Sequence, residues 1–307
     1  MSEPMNSTMT KVNTGVASTE IVATRSRWPV IRRRLLNTFA YLFLIVAGVL
    51  CIAPFYFMIS GALMAKGEMF QIPPKLWPET PIWANFKTVF TELNFLTYLR
   101  NSVIISVSQT VGVLFFCSLA GFIFAKRRFP GRDILFVMVL ITSAMPNGQT
   151  TIIPFYLLMV RLHWIDTFWP LIIPWWAPPL SIFLMRQYIS AGVPDDLIDA
   201  SRLDGAGLFA TYWRIVIPLS VPGLVVIGIM QFIAVWNDFL YGLLVLKSEN
   251  MRTVTVALTA LSQRTQAATI YGPLFAGIVI ATIPTIALYF IFQRRLTSGL
   301  LSGSVRG

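Results

Sequence analysis

Residues 194–222, PDDLIDASRLDGAGLFATYWRIVIPLSVP, decide the fold, because they form a polar stretch between two long apolar segments of the chain. Pro194 suits the first turn of a helix, and the two aspartates that follow it place negative charge near the positive end of the helix dipole. Gly205 is expected to end this short helix, and Pro218 is expected to stop the next one. The pattern predicts a helix–turn–helix that lies outside the lipid bilayer.

The first of these two helices carries a face of small and apolar residues with an acid at its end. Its members, Leu197, Ala200, Ser201 and Asp204, recur at the i, i+3, i+4 and i+7 positions of one helix face. Such a face fits a groove on a partner protein. An ordinary amphipathic helix at the membrane interface would show the same spacing, so that alternative stays open.

Apolar runs dominate the rest of the chain. Of its 307 residues, 56% are hydrophobic and 12% are charged. Several runs reach the ~20 residues that a helix needs to cross a bilayer. The sequence therefore predicts an all-α, polytopic membrane protein with six transmembrane helices, over residues 38–64, 102–125, 134–160, 168–189, 219–246 and 272–292.

The net formal charge of +11 comes largely from cations that cluster where the predicted spans leave the membrane. This positive-inside pattern explains the basic balance without a nucleic-acid partner, and it places both termini and the loop 194–218 in the cytosol. The opposite loops also contain lysines, but these are interspersed with glutamates. The clusters consist of Arg32, Arg33 and Arg34, then Lys126, Arg127, Arg128 and Arg132, and finally Arg294 and Arg295.

Three parts follow from this organisation. Residues 1–34 are predicted to be a flexible, basic N-terminal tail, since they lack a helical period and end in arginines. Residues 35–293 form the six-span domain, and residues 294–307 form a cytosolic C-terminal tail. We expect a multi-pass protein of the inner or plasma membrane.

The sequence contains no nucleotide-binding or metal-ligating motif. It has no G-x-x-x-x-G-K-[ST] phosphate loop, and His163 is its single histidine. Its cysteines, Cys51 and Cys117, both fall inside apolar runs, where we expect two small buried hydrophobes. No Cys, His and acid cluster has the spacing of metal ligands. We therefore expect no catalytic residue, no metal and no cofactor on this chain.

Polar groups inside predicted spans are candidates for a solute path, because each costs free energy in hydrocarbon. In the fifth span the candidates are Trp236, Asn237 and Asp238. In an alternative interpretation of equal weight, Asn237 caps neighbouring backbone and Asp238 pairs with a partner helix. In the third span Asn147 and Gln149 lie beside a proline and a glycine that loosen the helix.

Prolines and tryptophans fall together in the fourth span, at residues 174–179. No regular helix accepts this sequence without a bend. The break lies either beside the path or at a helix end. The tryptophans are able to stack on a sugar ring, but they fit lipid or its interface better.

One set of residues in the loop carries a family resemblance. Its members resemble the "E-A-A, three residues, G, nine residues, I-x-L-P" loop of ABC importer permeases, although an aspartate replaces the glutamate and a serine replaces the second alanine. The resemblance implies a MetI-like permease core in which the short helix enters a cleft on a nucleotide-binding subunit. The matching residues are Asp199, Ala200, Ser201, Gly205, Ile215, Ile217 and Pro218, with Asp204 added to the docking surface.

The C-terminus narrows the resemblance further. It is similar to the "Q-R-x-x-x-x-G-L-x-x-G-x-x-K-G" tail of the maltose-type, carbohydrate-uptake group, whose tail reaches between two ATPase subunits; a solvated tail is the alternative. The group also implies a second permease subunit, with a paralogue favoured, and an extracytoplasmic sugar-binding protein that meets the loop 247–271. ATP and magnesium would be bound by the ATPase subunits. The tail residues are Gln293, Arg294, Gly299 and Gly303.

The sequence thus predicts the transmembrane subunit of an ATP-binding-cassette importer that takes up a sugar or sugar-like solute by alternating access. A proton-coupled secondary transporter that uses Asp238 is the main alternative. A membrane scaffold that only recruits an ATPase is a third possibility.

Overall fold

The computed structural model describes residues 28–65, 67–68, 71, 73, 75–144, 149–268 and 271–302, and it is all-helical over that part of the chain. The first helices are α1 (Trp28–Leu63), α2 (Ala84–Thr91), α3 (Phe95–Lys126), α4 (Arg132–Ala144), α5 (Gln149–Arg161), α6 (Trp169–Ile172) and α7 (Pro179–Gly192). They are followed by α8 (Asp195–Leu203), α9 (Leu208–Thr211), α10 (Ile217–Trp236), α11 (Leu240–Val245), α12 (Val254–Ala268) and α13 (Tyr271–Ser302).

Four helical segments of the described residues are long and apolar enough to cross a membrane. They cover Leu36–Leu63, Phe95–Lys126, Leu208–Trp236 and Tyr271–Gln293, with mean hydropathies of 2.0 to 2.6. These segments overlap the first, second, fifth and sixth predicted spans. The bounds of the fifth are wrong: its helix ends at Trp236, ten residues before the predicted end at residue 246, and α11 follows as a separate helix. The count of six spans stays a prediction, since the third and fourth spans are built from shorter helices.

The chain divides into two units within α1, at Pro54. The described part of the first unit is the N-terminal portion of α1, an apolar helix in which Cys51 is exposed, contrary to the expected burial. The second unit begins at Phe55 and contains the helical bundle. Cys117, in this second unit, is buried as predicted.

The core of the second unit lies where α3, α7 and α10 pack against one another. Gly121 lets α3 and α7 approach closely, because a Cβ there would lie 2.8 Å from Met185 Cβ and 2.9 Å from the Arg186 backbone nitrogen. The contact zone is apolar, so its burial stabilises the bundle in proportion to the buried area. Its fully buried members include Val113, Cys117, Phe122, Met185, Ile189, Tyr212, Val216 and Ile227.

The fourth predicted span breaks, as its prolines and tryptophans predict. After α6 the chain makes a short 3₁₀ turn over Ile173–Trp175, and α7 starts at Pro179. The third predicted span consists of α4 and α5, which flank residues 145–148. Asn147 lies among those residues and is therefore outside the described part of the chain.

The prediction that Pro218 stops the second helix of the loop is wrong. Helical structure runs from Leu208 to Trp236, and Pro218 lies in its interior. Proline has no N–H for the usual bond to the carbonyl four residues earlier. A π-helical turn over Tyr212–Val216 lies just before it, in which the Ile217 N–H donates to Tyr212 O. This turn accommodates the proline without ending the helix.

Candidate functional site: a polar elbow and a path cavity

The loop between α7 and α10 forms a sharp elbow, defined here as residues 194–218. Its helix α8 begins after Pro194, whose extended backbone (φ −62°, ψ 141°) sets the entry. The helix ends at Leu203 and reverses through Gly205, which has φ +75°. Two C-terminal bonds close the turn: Gly205 N–H donates to Arg202 O (3.0 Å), and Ala206 N–H donates to Ser201 O (2.9 Å). The helix bounds follow the sequence prediction.

One side of α8 packs inward. Ile198 joins the main core and is 3% exposed, and Ser201 on the next turn is 6% exposed. The Ser201 and Thr211 hydroxyls are hydrogen-bonded at 2.7 Å. Ser201 therefore does not belong to an outward docking face, contrary to the predicted stripe. It fixes α8 to α9, because a buried hydroxyl needs a partner.

The outward side of α8 combines acidic and apolar groups. Leu203 is 90% exposed, which is unusual for a large apolar side chain on a polar loop. The Asp199 carboxylate accepts a hydrogen bond from Arg202 Nη1 at 2.8 Å, so the acid of the E-A-A-like motif is paired on its own helix. The other exposed members are Leu197, Ala200, Asp204 and Gly205, whereas Ile215 and Ile217 pack against the core and Pro218 is exposed.

Two polar contacts attach the elbow to α3. Lys126 Nζ donates to Asp195 Oδ1 at 2.7 Å, and the Lys126 side chain is only 6% exposed. Farther along, the hydroxyls of Tyr212 and Ser118 are hydrogen-bonded at 2.7 Å inside the core. The Lys126 ammonium lowers the pKa of Asp195 below its usual value. The ion pair is therefore kept at neutral pH and lost only when the pH falls through that lowered pKa.

A cavity of about 180 Å³ lies between α3, α6, α10 and α11, and we call it the path cavity. Two glutamine amides and a carboxylate provide hydrogen-bonding groups within an otherwise apolar and aromatic wall. The Trp175 and Tyr241 rings meet edge to face with centroids 4.8 Å apart. The cavity is lined by Ile105, Gln109, Leu171, Trp175, Gln231, Ala234, Val235, Asp238, Tyr241 and Thr253.

The three candidates in the fifth span separate in the structure. Trp236 is buried against α13, where its Nε1–H donates to Ala281 O at 3.0 Å, so it does not line the path cavity. Asn237 is exposed and caps its own helix, with Nδ2 donating to Ile233 O at 2.8 Å. Asp238 lines the cavity, and its Oδ2 also accepts the Gly242 N–H at 3.1 Å.

The remaining predicted residues lie at the start of α5 and near the C-terminus. Gln149 begins α5, but its side chain lies outside the description. The backbone of α13 continues through Arg294 and Gly299 to Ser302, and Gly303 lies beyond the described part. Gln293 Nε2 donates to Phe290 O at 3.3 Å. Gln109 and Gln231 line the path cavity but are not among the candidates predicted from the sequence; the signal for them is an amide within an apolar run.

A latch at the opposite end of the bundle joins the α5–α6 loop to the segment after α11. Asp166 has φ +62°, and its N–H donates to Val245 O at 2.8 Å. Its Oδ1 accepts the N–H groups of Lys247 (2.9 Å) and Ser248 (2.8 Å), and its Oδ2 accepts the Ser248 hydroxyl. The hydrogen bond from the Ser248 side chain is the main cause that lowers the pKa of Asp166.

We expect Asp166→Ala to lower the unfolding midpoint of the purified protein in detergent. It removes three accepted hydrogen bonds at a half-buried site, for a loss of about 1 kcal/mol after solvent screening. Asp166→Asn is the matched control, since an amide oxygen still accepts the two backbone N–H groups. Because the pKa is lowered, the wild-type advantage should disappear as the pH falls through it. Equal midpoints for Asp166→Ala and wild type would refute the latch.

Comparison with known proteins identifies the family of this fold. Residues 117–301 match the family described as "Binding-protein-dependent transport system inner membrane component". The chain is 33% identical over 269 residues to the arabinooligosaccharides transport system permease protein AraQ of Bacillus subtilis (strain 168), covering 87% of this chain and 94% of that protein. It is 28% identical over 275 residues to the sn-glycerol-3-phosphate transport system permease protein UgpE of Yersinia enterocolitica, covering 88% and 97%.

A solved structure has the same fold. It is a chain of a bacterial ABC transporter involved in the import of the acidic polysaccharide alginate, and it superimposes with a TM-score of 0.76 at 22% identity, covering 85% of this chain and 96% of that one. The predicted resemblance of the chain to ABC importer permeases is confirmed at the level of the family, whereas the role of the elbow residues stays a prediction. The chain belongs to the binding-protein-dependent transport system inner membrane component family, as a multi-pass permease protein and not an enzyme.

Proposed function

We propose that this chain is one of two permease subunits of an ATP-driven importer for a sugar or sugar-like solute. Its relatives AraQ and UgpE are named for the transport of arabinooligosaccharides and sn-glycerol-3-phosphate. A second solved alginate transporter, with a TM-score of 0.58 at 12% identity, was determined in complex with a pentasaccharide-bound periplasmic protein. We infer corresponding partners here: an extracytoplasmic binding protein, a second permease, and two ATPase subunits that hold ATP and magnesium.

The exposed side of the elbow is the observation that carries this proposal. An apolar side chain that is 90% exposed on an acidic loop, Leu203, is explained if a partner covers it. The same elbow is fixed to α3 through Lys126–Asp195 and Tyr212–Ser118. A displacement of the elbow therefore moves α3, which also contributes Ile105 and Gln109 to the path cavity. This is the connection that an importer needs between a separate ATPase and a solute path.

The path cavity has the chemistry of a sugar site. Trp175 and Tyr241 present ring surface to the apolar faces of a pyranose, and the amides of Gln109 and Gln231 hydrogen-bond hydroxyl groups. Its 180 Å³ lies below the ~300–1,000 Å³ of sites for drug-sized ligands. We infer that this chain contacts about one sugar ring and that the second permease completes the path.

The mechanism we infer is alternating access. ATP binding closes the ATPase subunits, draws the docked elbows together and opens the path cavity towards the binding protein. Hydrolysis then resets the transporter. The coupling requires that ATP bind more tightly to one of the two arrangements than to the other. We place the elbow and both termini in the cytosol, on the strength of the basic clusters at the span ends.

Proton coupling through Asp238 is less well supported. Its carboxylate already accepts the Gly242 N–H, and its backbone carbonyl accepts the Thr255 hydroxyl at 2.7 Å. These hydrogen bonds give Asp238 a structural role at the start of α11, and that role does not require its carboxylate to change protonation. The family match also concerns transport that depends on a binding protein.

Reconstitution into vesicles tests the proposed function. Radiolabelled sugars from a panel that includes an arabinooligosaccharide are offered to vesicles that contain both permeases and the ATPase, with binding protein added outside. We expect uptake that requires internal ATP and that persists when the proton gradient is collapsed. Uptake without ATP that stops on collapse of the gradient, and that is lost in Asp238→Asn, would support the secondary transporter instead.

Leu203→Glu should weaken the attachment of the ATPase without affecting the permease fold. The side chain makes almost no intramolecular contact, whereas a charge would be desolvated in a partner cleft. We expect at least tenfold less ATPase to co-purify. Leu76→Glu, at a residue that is 61% exposed in another loop, is the matched control and should retain the ATPase. Undiminished co-purification of Leu203→Glu would place the ATPase elsewhere.

A further inference from the structure

A second, strongly polar cavity of about 450 Å³ lies under the elbow, and we call it the basic cavity. It opens between the end of α3, the start of α4 and the side of α8 that carries Asp195, Asp199 and Arg202. Its position differs from that of the path cavity, with which it shares no residue. It is lined by Ala125, Lys126, Arg127, Arg128, Arg132, Asp195, Ile198, Asp199 and Arg202.

Cations outnumber acids in this cavity by five to two. Both acids are already paired, Asp195 with Lys126 at 2.7 Å and Asp199 with Arg202 at 2.8 Å. Arg132 pairs with Asp133 at 2.9 Å, outside the lining. Arg127 and Arg128 have no ion pair among the described residues. The electrostatic potential in the cavity is positive, and the Lys126–Asp195 pair does not account for all of it. Arg128 and Arg202 also help to lower the pKa of Asp195.

Exposed apolar surface begins beside the cavity. Within two residues of Arg132, helix α4 turns apolar and outward: Ile134 is 64% exposed and Met138, one turn later, is 53% exposed. On the other side α3 is an apolar helix long enough to span the membrane, and it ends at Lys126. The cavity therefore lies where an apolar helix surface meets a cluster of cations, which is the arrangement that an amphiphilic anion requires.

We propose that the basic cavity binds the phosphate of an anionic phospholipid, with the acyl chains along the exposed side of α4. Arginine forks suit phosphate oxygens because they donate two parallel hydrogen bonds. A headgroup with its own ammonium brings a positive charge towards the unpaired arginines, so phosphatidylglycerol should be preferred to phosphatidylcholine. A soluble phosphate would use the arginines but gain nothing from α4.

A lipid bound in the basic cavity would contact the elbow directly. Asp195, Ile198, Asp199 and Arg202 of α8 form one wall of the cavity, and Arg127, Arg128 and Arg132 form the other. A phosphate between them attracts Arg202 and repels the two aspartates, so it changes the position at which α8 is most stable relative to α3. This regulatory role rests on the proposed function, whereas binding of the lipid does not.

The test measures lipid retention by the whole transporter complex in nanodiscs of phosphatidylcholine with a minority of phosphatidylglycerol. Native mass spectrometry counts the bound lipids, and ATP hydrolysis is recorded on the same samples. We expect wild type to retain phosphatidylglycerol selectively. The double variant Arg127→Gln, Arg128→Gln should bind it about 30-fold more weakly, at about fivefold for each cation lost near the surface. Its ATP hydrolysis should become insensitive to phosphatidylglycerol.

Two controls separate charge from structure. The conservative variant Arg127→Lys, Arg128→Lys keeps both charges and should keep most of the lipid retention. If the glutamine variant lost the lipid only because replacing these arginines unfolds the cavity, the lysine variant would lose it too. Arg100→Gln, near the other end of α3, should leave retention unchanged. If the wild-type complex retains phosphatidylglycerol but its ATP hydrolysis does not respond to that lipid, the regulatory role is overturned and the lipid site is not.

Three results would overturn the lipid site. In the first, wild type and the double glutamine variant retain phosphatidylglycerol equally. In the second, inorganic phosphate competes with phosphatidylglycerol as well as the lipid itself does, which would make this a site for soluble anions. In the third, only the permease without its ATPase binds the lipid, which would mean that acids of the ATPase fill the cavity in the complex.

Discussion

Gly205→Pro should abolish solute uptake while leaving the protein inserted in the membrane. Gly205 has φ +75°, a region that proline, fixed near φ −65°, does not enter. The substitution also removes the N–H that donates to Arg202 O at 3.0 Å. Helix α8 then loses its C-terminal turn, and the outward face carrying Leu203 loses its orientation. Uptake into reconstituted vesicles and ATP hydrolysis stimulated by the binding protein are the measurements.

Gly207→Pro is the matched control for this prediction. Gly207 has φ −69°, which proline adopts, and it stands just before the first turn of α9, where a missing N–H is tolerated. We expect it to keep most of the uptake. Normal uptake by Gly205→Pro would mean that the elbow does not transmit the conformational change of the ATPase to the path cavity, even if it binds the ATPase.

The second large effect is expected in the core. Gly121→Leu should destabilise the bundle by about 3 kcal/mol or more, at the upper end for overpacked cores. An added Cβ would lie 2.8 Å from Met185 Cβ and 2.9 Å from the Arg186 backbone nitrogen, so helices α3 and α7 would have to separate. A flexible side chain could move aside, but the backbone of a packed helix does so only at high cost.

The unfolding midpoint in detergent measures this loss. Gly192→Leu, at the end of α7, is the control, because a Cβ at that position would meet no atom within 4 Å beyond its chain neighbours and the backbone of its own helix. We expect its midpoint to stay near that of wild type. Equal midpoints for the two variants would show that α3 and α7 have room to spare at Gly121.

The elbow illustrates how far the sequence predicts the site. Pro194 and Gly205 act through the local backbone, so the bounds of α8 follow from them directly. The side of α8 that packs inward does not, because Leu197–Ala200 and Ile198–Ser201 have the same helical spacing. The choice between these two stripes depends on Thr211 of the next helix, whose hydroxyl is hydrogen-bonded to that of Ser201.

The lining of the path cavity could likewise be predicted only in part, because it depends on contacts between distant parts of the chain. Gln109 and Gln231 lie on different helices, and their common cavity depends on how α3 crosses α10. Asp238 is predictable because a carboxylate within an apolar run is conspicuous. The prediction that Trp236 lines the path is wrong, because the direction of its side chain depends on α13, where Ala281 O accepts the indole N–H.

The π-helical turn at Tyr212–Val216 has a consequence for how the elbow is aimed. A π turn holds one residue more than an α turn, and each residue advances a helix by about 100°. Deleting a single residue from this turn would therefore swing α8 around the axis of the spanning helix by roughly a quarter of a circle. The direction in which α8 projects from the spanning helix is thus set by one extra residue in this turn.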